Sequence, residues 1–281
     1  MTERLVDISA REAGVRELGV VLNAVRSIAA SRAQQAREAL LAVDSYSAEL
    51  AGAIGAVLRL TPQGDSGPPT RHRTARVVFG AEEGFAGTFT ERVLKGVSAT
   101  DGGALFLVGS RAVSVAAERG LLPRWTGAMS SHVAGIPKLA DRIATALYAG
   151  IASGEIDRIE AIHASFRTGQ AFEVRTELLL PLDEDAFRKG DGVQAPLLEL
   201  APLDILNHLA SDYLHAQLCR AALHAFAAEN EARVEAMASA RREIERQLEA
   251  LQTQIRQVRQ EQITDEIIEL AAGTISATTS R

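Results

Sequence analysis

Two proline-free stretches at opposite ends of the chain, Thr2 to Leu60 and Leu203 to Ile275, limit what this sequence can fold into. In the first, apolar residues fall at Ile8, Val15, Leu18, Leu22, Val25 and Ala29, stepping by three and four after Val15. The pattern resumes through Leu40, Val43, Tyr46, Leu50, Ile54, Val57 and Leu58. In the second, Ile244, Leu248, Leu251, Ile255 and Val258 step 4, 3, 4, 3. Alternating steps of this kind place one apolar seam along a helix. The two stretches predict helices of about 90 and 110 Å at 1.5 Å per residue. A rod of that length cannot bury its stripe alone. Pairing within the chain and pairing with a second copy both satisfy the stripes, and the intervening domain makes the antiparallel return within one chain less costly.

The middle of the chain has a different texture. The run Thr61-Pro62-Gln63-Gly64-Asp65-Ser66-Gly67-Pro68-Pro69 is dense in helix breakers. Short apolar runs ended by glycine follow at Arg76–Gly80 and Ala104–Gly109, and further strands are expected at Asp157–Phe166, Phe172–Leu180 and Leu197–Leu200. Helical patterns lie between them at Gly87–Val97, Ser110–Arg119 and Ile136–Ser153. Strands alternating with helices predict an α/β domain with a partly parallel sheet. The boundaries read as a helix over 1–60, a linker over 61–76, the α/β domain over 77–201 and a second helix over 202–281. Pro202 suits the first turn of that last helix.

Composition narrows the function. Aromatic residues make up 4% and apolar residues 47% of the 281 positions, as long helices rich in Ala and Leu would give. A net charge of −6 argues against a general nucleic-acid binder. Cys219 is the single cysteine, so no disulfide within the chain is expected and a reducing compartment is. Neither a signal peptide nor a stretch near 20 apolar residues is evident, so the expectation is a soluble, cytoplasmic protein without a membrane span.

The loop Gly80-Ala81-Glu82-Glu83-Gly84-Phe85-Ala86-Gly87 follows a strand and precedes a helix, the setting of a phosphate cradle. Its glycine spacing differs from G-x-G-x-x-G, and Glu82 and Glu83 would repel a pyrophosphate. Glycines that let the helix pack closely on the strand are the competing account. His208 and His215 stand seven apart on one helical face, without a sequence neighbour that would complete a metal set. Cys219, among Leu218, Ala221 and Leu223, reads as a small buried hydrophobe. No catalytic set or cofactor site is apparent.

Several motifs carry a family resemblance. Arg259-Gln260-Glu261-Gln262-Ile263-Thr264-Asp265-Glu266-Ile267-Ile268-Glu269-Leu270-Ala271-Ala272-Gly273 resembles the terminal signature of F-type ATP synthase gamma subunits, R-Q-A-x-I-T-x-E-I-x-E-I-V-x-G. Tyr213 to Leu218 resembles Y-L-x-x-Q-L, and Glu229 to Met237 resembles S-E-H-x-A-R-M-x-A-M. Ala24 to Arg32 is similar to A-M-x-x-V-A-A-S-K, and Gly84 to Phe89 to the end of R-G-L-C-G-x-F. The resemblance implies two long antiparallel terminal helices enclosing a Rossmann-like α/β domain, and a non-catalytic rotor on the cytoplasmic face of a bacterial membrane.

It implies as partners three α and three β subunits per copy, an epsilon subunit and a membrane c-ring, with no cofactor. It implies a catch with a β subunit at Arg259, Gln260, Thr264, Glu266, Val25, Arg26 and Arg32. It further implies an axle tip in an apolar bearing at Ile263, Ile267, Leu270, Ala271 and Gly273. Val20-Val21-Leu22 replaces the family's K-I-T, Arg241-Arg242 falls within its A-T-D-N-A, and Ile255-Arg256 replaces its Y-N. These departures mark a divergent member, compatible with an alternate F-type ATPase that pumps ions. Two other readings fit the architecture: an unrelated coiled-coil adaptor, and an enzyme using the α/β domain as a nucleotide fold.

Overall fold

The computed structural model describes residues 2–61, 73–97, 103–166, 172–188 and 198–279, with side chains from 4 to 268. Helix α1 spans Thr2–Leu58 and helix α6 spans Pro202–Thr279. Between them run β1 (Thr74–Phe79), α2 (Phe89–Val93), β2 (Ala104–Val108), α3 (Ser110–Glu118), β3 (Trp125–Gly127), α4 (Ile136–Ala152), β4 (Arg158–Ser165), β5 (Glu173–Leu180) and α5 (Glu184–Arg188). The chain divides into two compact units, one of 1–28 with 234–281 and one of 29–233.

The larger unit is built on a five-stranded sheet of order β3-β2-β1-β4-β5. The first four strands are parallel, and β5 runs antiparallel to β4. Central strands of such a sheet are covered on both faces, so they read as continuous apolar runs rather than as alternations. Accordingly Val77, Val78 and Phe79 are all fully buried, as are Leu107 and Val108. Ala75, Val77, Phe79, Phe106, Ile159 and Ala161 join α4 (Leu139, Ile143, Leu147) and α6 (Leu214, Leu218, Phe226) in one core. Val78, Leu107, Ile162 and Ala164 join Phe89, Val93, Ala112 and Val115 in another. Each large side chain so buried contributes about 1.5–3 kcal/mol. Small residues let the long helices approach: Ala33 and Ala36 in α1, and Ala221, Ala222 and Ala225 in α6, are buried.

In the smaller unit the two helices run antiparallel. Asn23 accepts a hydrogen bond from Arg241 at 3.3 Å and Glu12 one from Gln252 at 3.4 Å, so rising numbers on one helix meet falling numbers on the other. Val15, Leu22, Ile244, Leu248 and Leu251 are half-buried there, and Ile255 and Val258 are buried.

Several expectations need correction. Leu18 is 57% exposed and sits on the flank of the seam. Gly19 takes the inward position, where a Cβ would stand 3.5 Å from Ile244. Tyr46 is likewise exposed, and Ser47 fills the buried place. In both places the small residue takes the inward position and its larger neighbour is turned outward. The apolar steps fail at Gln262 and restart at Ile263, which predicts a shift of register there; instead Gln262 is half-buried and Ile263 faces out, so the seam continues through a polar residue.

The breaker run beyond Thr61 lies outside the described residues. β1 starts at Thr74, inside the stretch expected as linker, because Thr74 and Ala75 pair with Arg158 and Ile159. Residues 198–200 form no strand, and Leu197 lies outside the described residues. β3 and α5 were not expected; three and five residues are too short to leave a periodic signal. Part of helix α1 is also long and apolar enough to cross a membrane, at mean hydropathy 1.3 with a third of it buried within the protein. Alanines interspersed with Leu, Val and Ile raise that value without an unbroken apolar run of that length.

Candidate functional site

The loop from Gly80 to Gly87 is the setting in which an α/β fold would hold a phosphate. It leaves β1 at the point where the strand order reverses, beside the N-terminus of α3. Here protein carboxylates fill that place. Glu82 accepts hydrogen bonds from the Ser110 backbone N–H (2.9 Å) and hydroxyl (2.6 Å), and from the Met129 N–H (2.7 Å). Its charge thus sits on the positive end of α3, where an anion is favoured. Glu229 of α6 accepts from the backbone N–H groups of Glu82 (3.2 Å) and Glu83 (3.3 Å). The loop is therefore closed by the chain's own anions, and the nucleotide-cradle account fails on geometry.

Arg233, one turn beyond Glu229, completes the network. It donates to Glu229 at 2.5 Å, to Asn230 Oδ1 at 3.0 Å and to the Gly84 carbonyl at 3.2 Å. Asn230 in turn donates to the Phe226 carbonyl at 2.8 Å. Glu229, Asn230 and Arg233 are 3%, 2% and 4% exposed. Burial pushes the Glu229 carboxyl above its ordinary range, against the pull of Arg233 and the two loop amides. Arg32 approaches Glu83 at 3.7 Å, and Arg37 pairs with Glu231. Within the loop stands Phe85, whose φ of 63° is the one positive value among described non-glycine residues and whose side chain is exposed.

The residues expected to catch a partner fall in different surroundings. Arg26, Arg259, Gln260, Thr264 and Glu266 are exposed, whereas Val25 is half-buried on the seam side. Arg32 belongs to the larger unit and faces Glu83, so within the described structure its charge is already answered. Thr264 donates its hydroxyl to the Gln260 carbonyl at 2.8 Å. Ile263 and Ile267, expected at the axle tip, are 57% and 60% exposed. Leu270, Ala271 and Gly273 lie in the helical backbone of α6, with side chains outside the described residues. Among the positions that depart from the family pattern, Val20 and Val21 face outward at 68% and 57% exposure. Arg241 bonds Glu245 (2.8 Å), Arg242 bonds Ser239 (3.4 Å), and Arg256 bonds Thr253 (3.2 Å).

Two histidine arrangements escape a reading of the chain alone. His215 has Asp141 of α4 at 3.0 Å from Nε2 and Cys219 Sγ at 3.9 Å from Nδ1. The two neighbours lie on opposite sides of the ring, so they share no centre for a metal. Burial, then Asp141, pushes the Cys219 thiol up to about 11, which removes it as a nucleophile at neutral pH. His163 of β4 stacks on His224 of α6 at 5.3 Å, beside Glu177 and Arg220. The partners come from elements separated by tens of residues, and no local spacing announces them.

Comparison with known proteins agrees with this architecture. A family model described as ATP synthase matches residues 4–276. An ATP synthase gamma chain of Prosthecochloris aestuarii is 26% identical over 288 residues, covering 96% of this chain and 97% of its own. One from Beutenbergia cavernae is 29% identical over 271 residues, covering 90% and 91%. In fold, the chain is similar to one in the mitochondrial ATP synthase of Euglena gracilis, with a TM-score of 0.64 at 13% identity over 99% of this chain and 95% of that one. With a match along nearly its whole length, the chain belongs to the ATP synthase gamma-chain family.

Proposed function

We propose that this chain is the central-stalk rotor of an F-type ATP synthase or ATPase. It carries torque between a membrane c-ring and a catalytic ring of three α and three β subunits. The observation that carries the reading is the family match over 4–276 on a chain whose terminal helices form an antiparallel seam. A seam of interlocked side chains resists twist, because neither helix can rotate without unpacking the other. Torque transmission requires this stiffness, together with contacts that differ between the conformers of the partner.

The chain acts as a peripheral part of a membrane-associated complex, on the cytoplasmic face, and catalyses no step itself. Its outward residues on the smaller unit, Arg26, Arg259 and Gln260, meet the β subunits. The exposed Ile263 and Ile267 turn in an apolar sleeve, where apolar side chains have no fixed polar partner to hold them. Glu82 and Glu229 close the loop a nucleotide would need, which supports the non-catalytic reading.

Co-expression with its α and β subunits tests this directly. The expected result is a complex of three α, three β and one copy of this chain, whose ATP hydrolysis drives rotation of a probe fixed to the α/β body. Failure to assemble in that ratio, or hydrolysis by the isolated chain, refutes the proposal.

A further inference from the structure

His163 and His224 reach one another from β4 and α6 and stack at 5.3 Å with 14° between their planes. His163 is fully buried and His224 half-buried. Glu177 on β5 places Oε1 at 3.5 Å from His163 Nε2, and Arg220 on α6 holds the other carboxylate oxygen at 2.7 Å. Tyr213 of α6 and Asp44 of α1 also act on these charges. Arg175, opposite His163 in the β4–β5 ladder, is turned to Glu173 at 3.2 Å.

Neutral imidazoles stack without electrostatic cost, and a single proton on the pair has Glu177 to face. A second proton puts two cations about 5 Å apart beside a third, Arg220, with one carboxylate among them; at that range they repel strongly. We propose that the stacked pair His163–His224 is an acid-sensitive latch. It holds the β4–β5 edge of the sheet on α6 and releases that edge in acid, because the opened edge lets His224 take the proton that the closed stack refuses. The latch does not rest on the rotor reading.

Burial, followed by His163 and Arg220, holds His224 down at about 4 from an ordinary 6.5, with Glu177 and Asp44 opposing. A histidine with a lowered native value contributes stability that is complete above 6.5 and is lost as pH falls toward 4. Glu177, held at about 2 by His163 and Arg220, stays ionised through that window. A carboxylate so lowered costs stability only below its ordinary 4.5, so the response between 6.5 and about 5 follows the imidazole.

Hydrogen exchange on the full chain, corrected for the intrinsic pH dependence of exchange, tests the latch between pH 7 and 4. In the native sequence, opening of β4 and β5 should rise by up to about tenfold per pH unit below 6.5, ahead of any change in the seam at 244–258. His224→Phe keeps a ring to stack but no proton to gain, and the acid response should vanish; His224→Gln serves where the Phe variant fails to fold. The same acid response in the variant, or loss of sheet and seam at one common pH, overturns the proposal.

Discussion

Replacing Arg233 by Met would remove a guanidinium that is 5% exposed and leave the Glu229 carboxylate with loop amides alone. Three hydrogen bonds disappear, those to Glu229, Asn230 and the Gly84 carbonyl, and the last of these leaves a loop oxygen without its donor. Removing one partner of a buried pair costs about 3–5 kcal/mol, because the remaining charge keeps its desolvation penalty. At about 2–4 °C per kcal/mol for a unit of this size, the melting temperature should fall by roughly 10 °C.

A pH signature separates this account from simple loss of packing. Glu229 already has a raised native carboxyl, and removing Arg233 raises it further. A group raised in the native state favours the fold below its unfolded value and loses that contribution as pH rises through its native value. The defect should therefore be largest at pH 7 and shrink on acidification toward pH 5. Glu229→Gln introduced on top of Arg233→Met should restore part of the loss. Thermal melts of both variants at the two pH values provide the assay. A melting temperature within 2 °C of the parent, or a defect that does not depend on pH, would refute the argument.

Other consequences can be checked more briefly. Gly109→Ala would press a Cβ to 2.5 Å from the Ala81 carbonyl at a φ of 110°, and should cost about 3 kcal/mol in urea titration. Leu251→Pro should break α6 at the seam, at about 3 kcal/mol or more, and abolish coupled ATPase in the assembled complex while the larger unit keeps its protected amides. Converting Arg259 and Gln260 together to Ala should slow turnover without preventing assembly; unchanged turnover would make them ordinary surface residues. Cys219 should resist alkylation at pH 8 in the native chain and react promptly once unfolded.

The parts of this fold legible in the sequence are those written in local periodicity. Heptad steps located both long helices, glycine-ended apolar runs located β1 and β2, and the apolar runs over 157–166 and 172–180 located β4 and β5. Individual seam positions were less legible, because hydrophobicity ranks Leu18 above Gly19 while close approach selects the glycine. The polar interior was not legible at all. Glu229 and Arg233 stood out in the sequence only as part of a family-like motif, and the spacing of four residues does not tell that the loop from β1 buries them. The His163–His224 stack has the same origin: its members lie on different elements, and tertiary packing alone brings them together.

The closed loop also bears on what the α/β body can be for. In a doubly wound sheet, the crevice at the strand-order reversal, beside a helix N-terminus, is where an anion is most readily held. In this chain Glu82 takes the α3 end of that crevice and Glu229 takes the loop amides. A phosphate entering there would have to displace two carboxylates, one of them fixed by Arg233. Displacing Glu229 would also break the tie between the loop and α6. Binding of that kind and a firm hold on the helix exclude one another, and the observed hydrogen bonds choose the hold. A body locked to one of the two long helices by a buried charge network suits a part that must pass force to that helix.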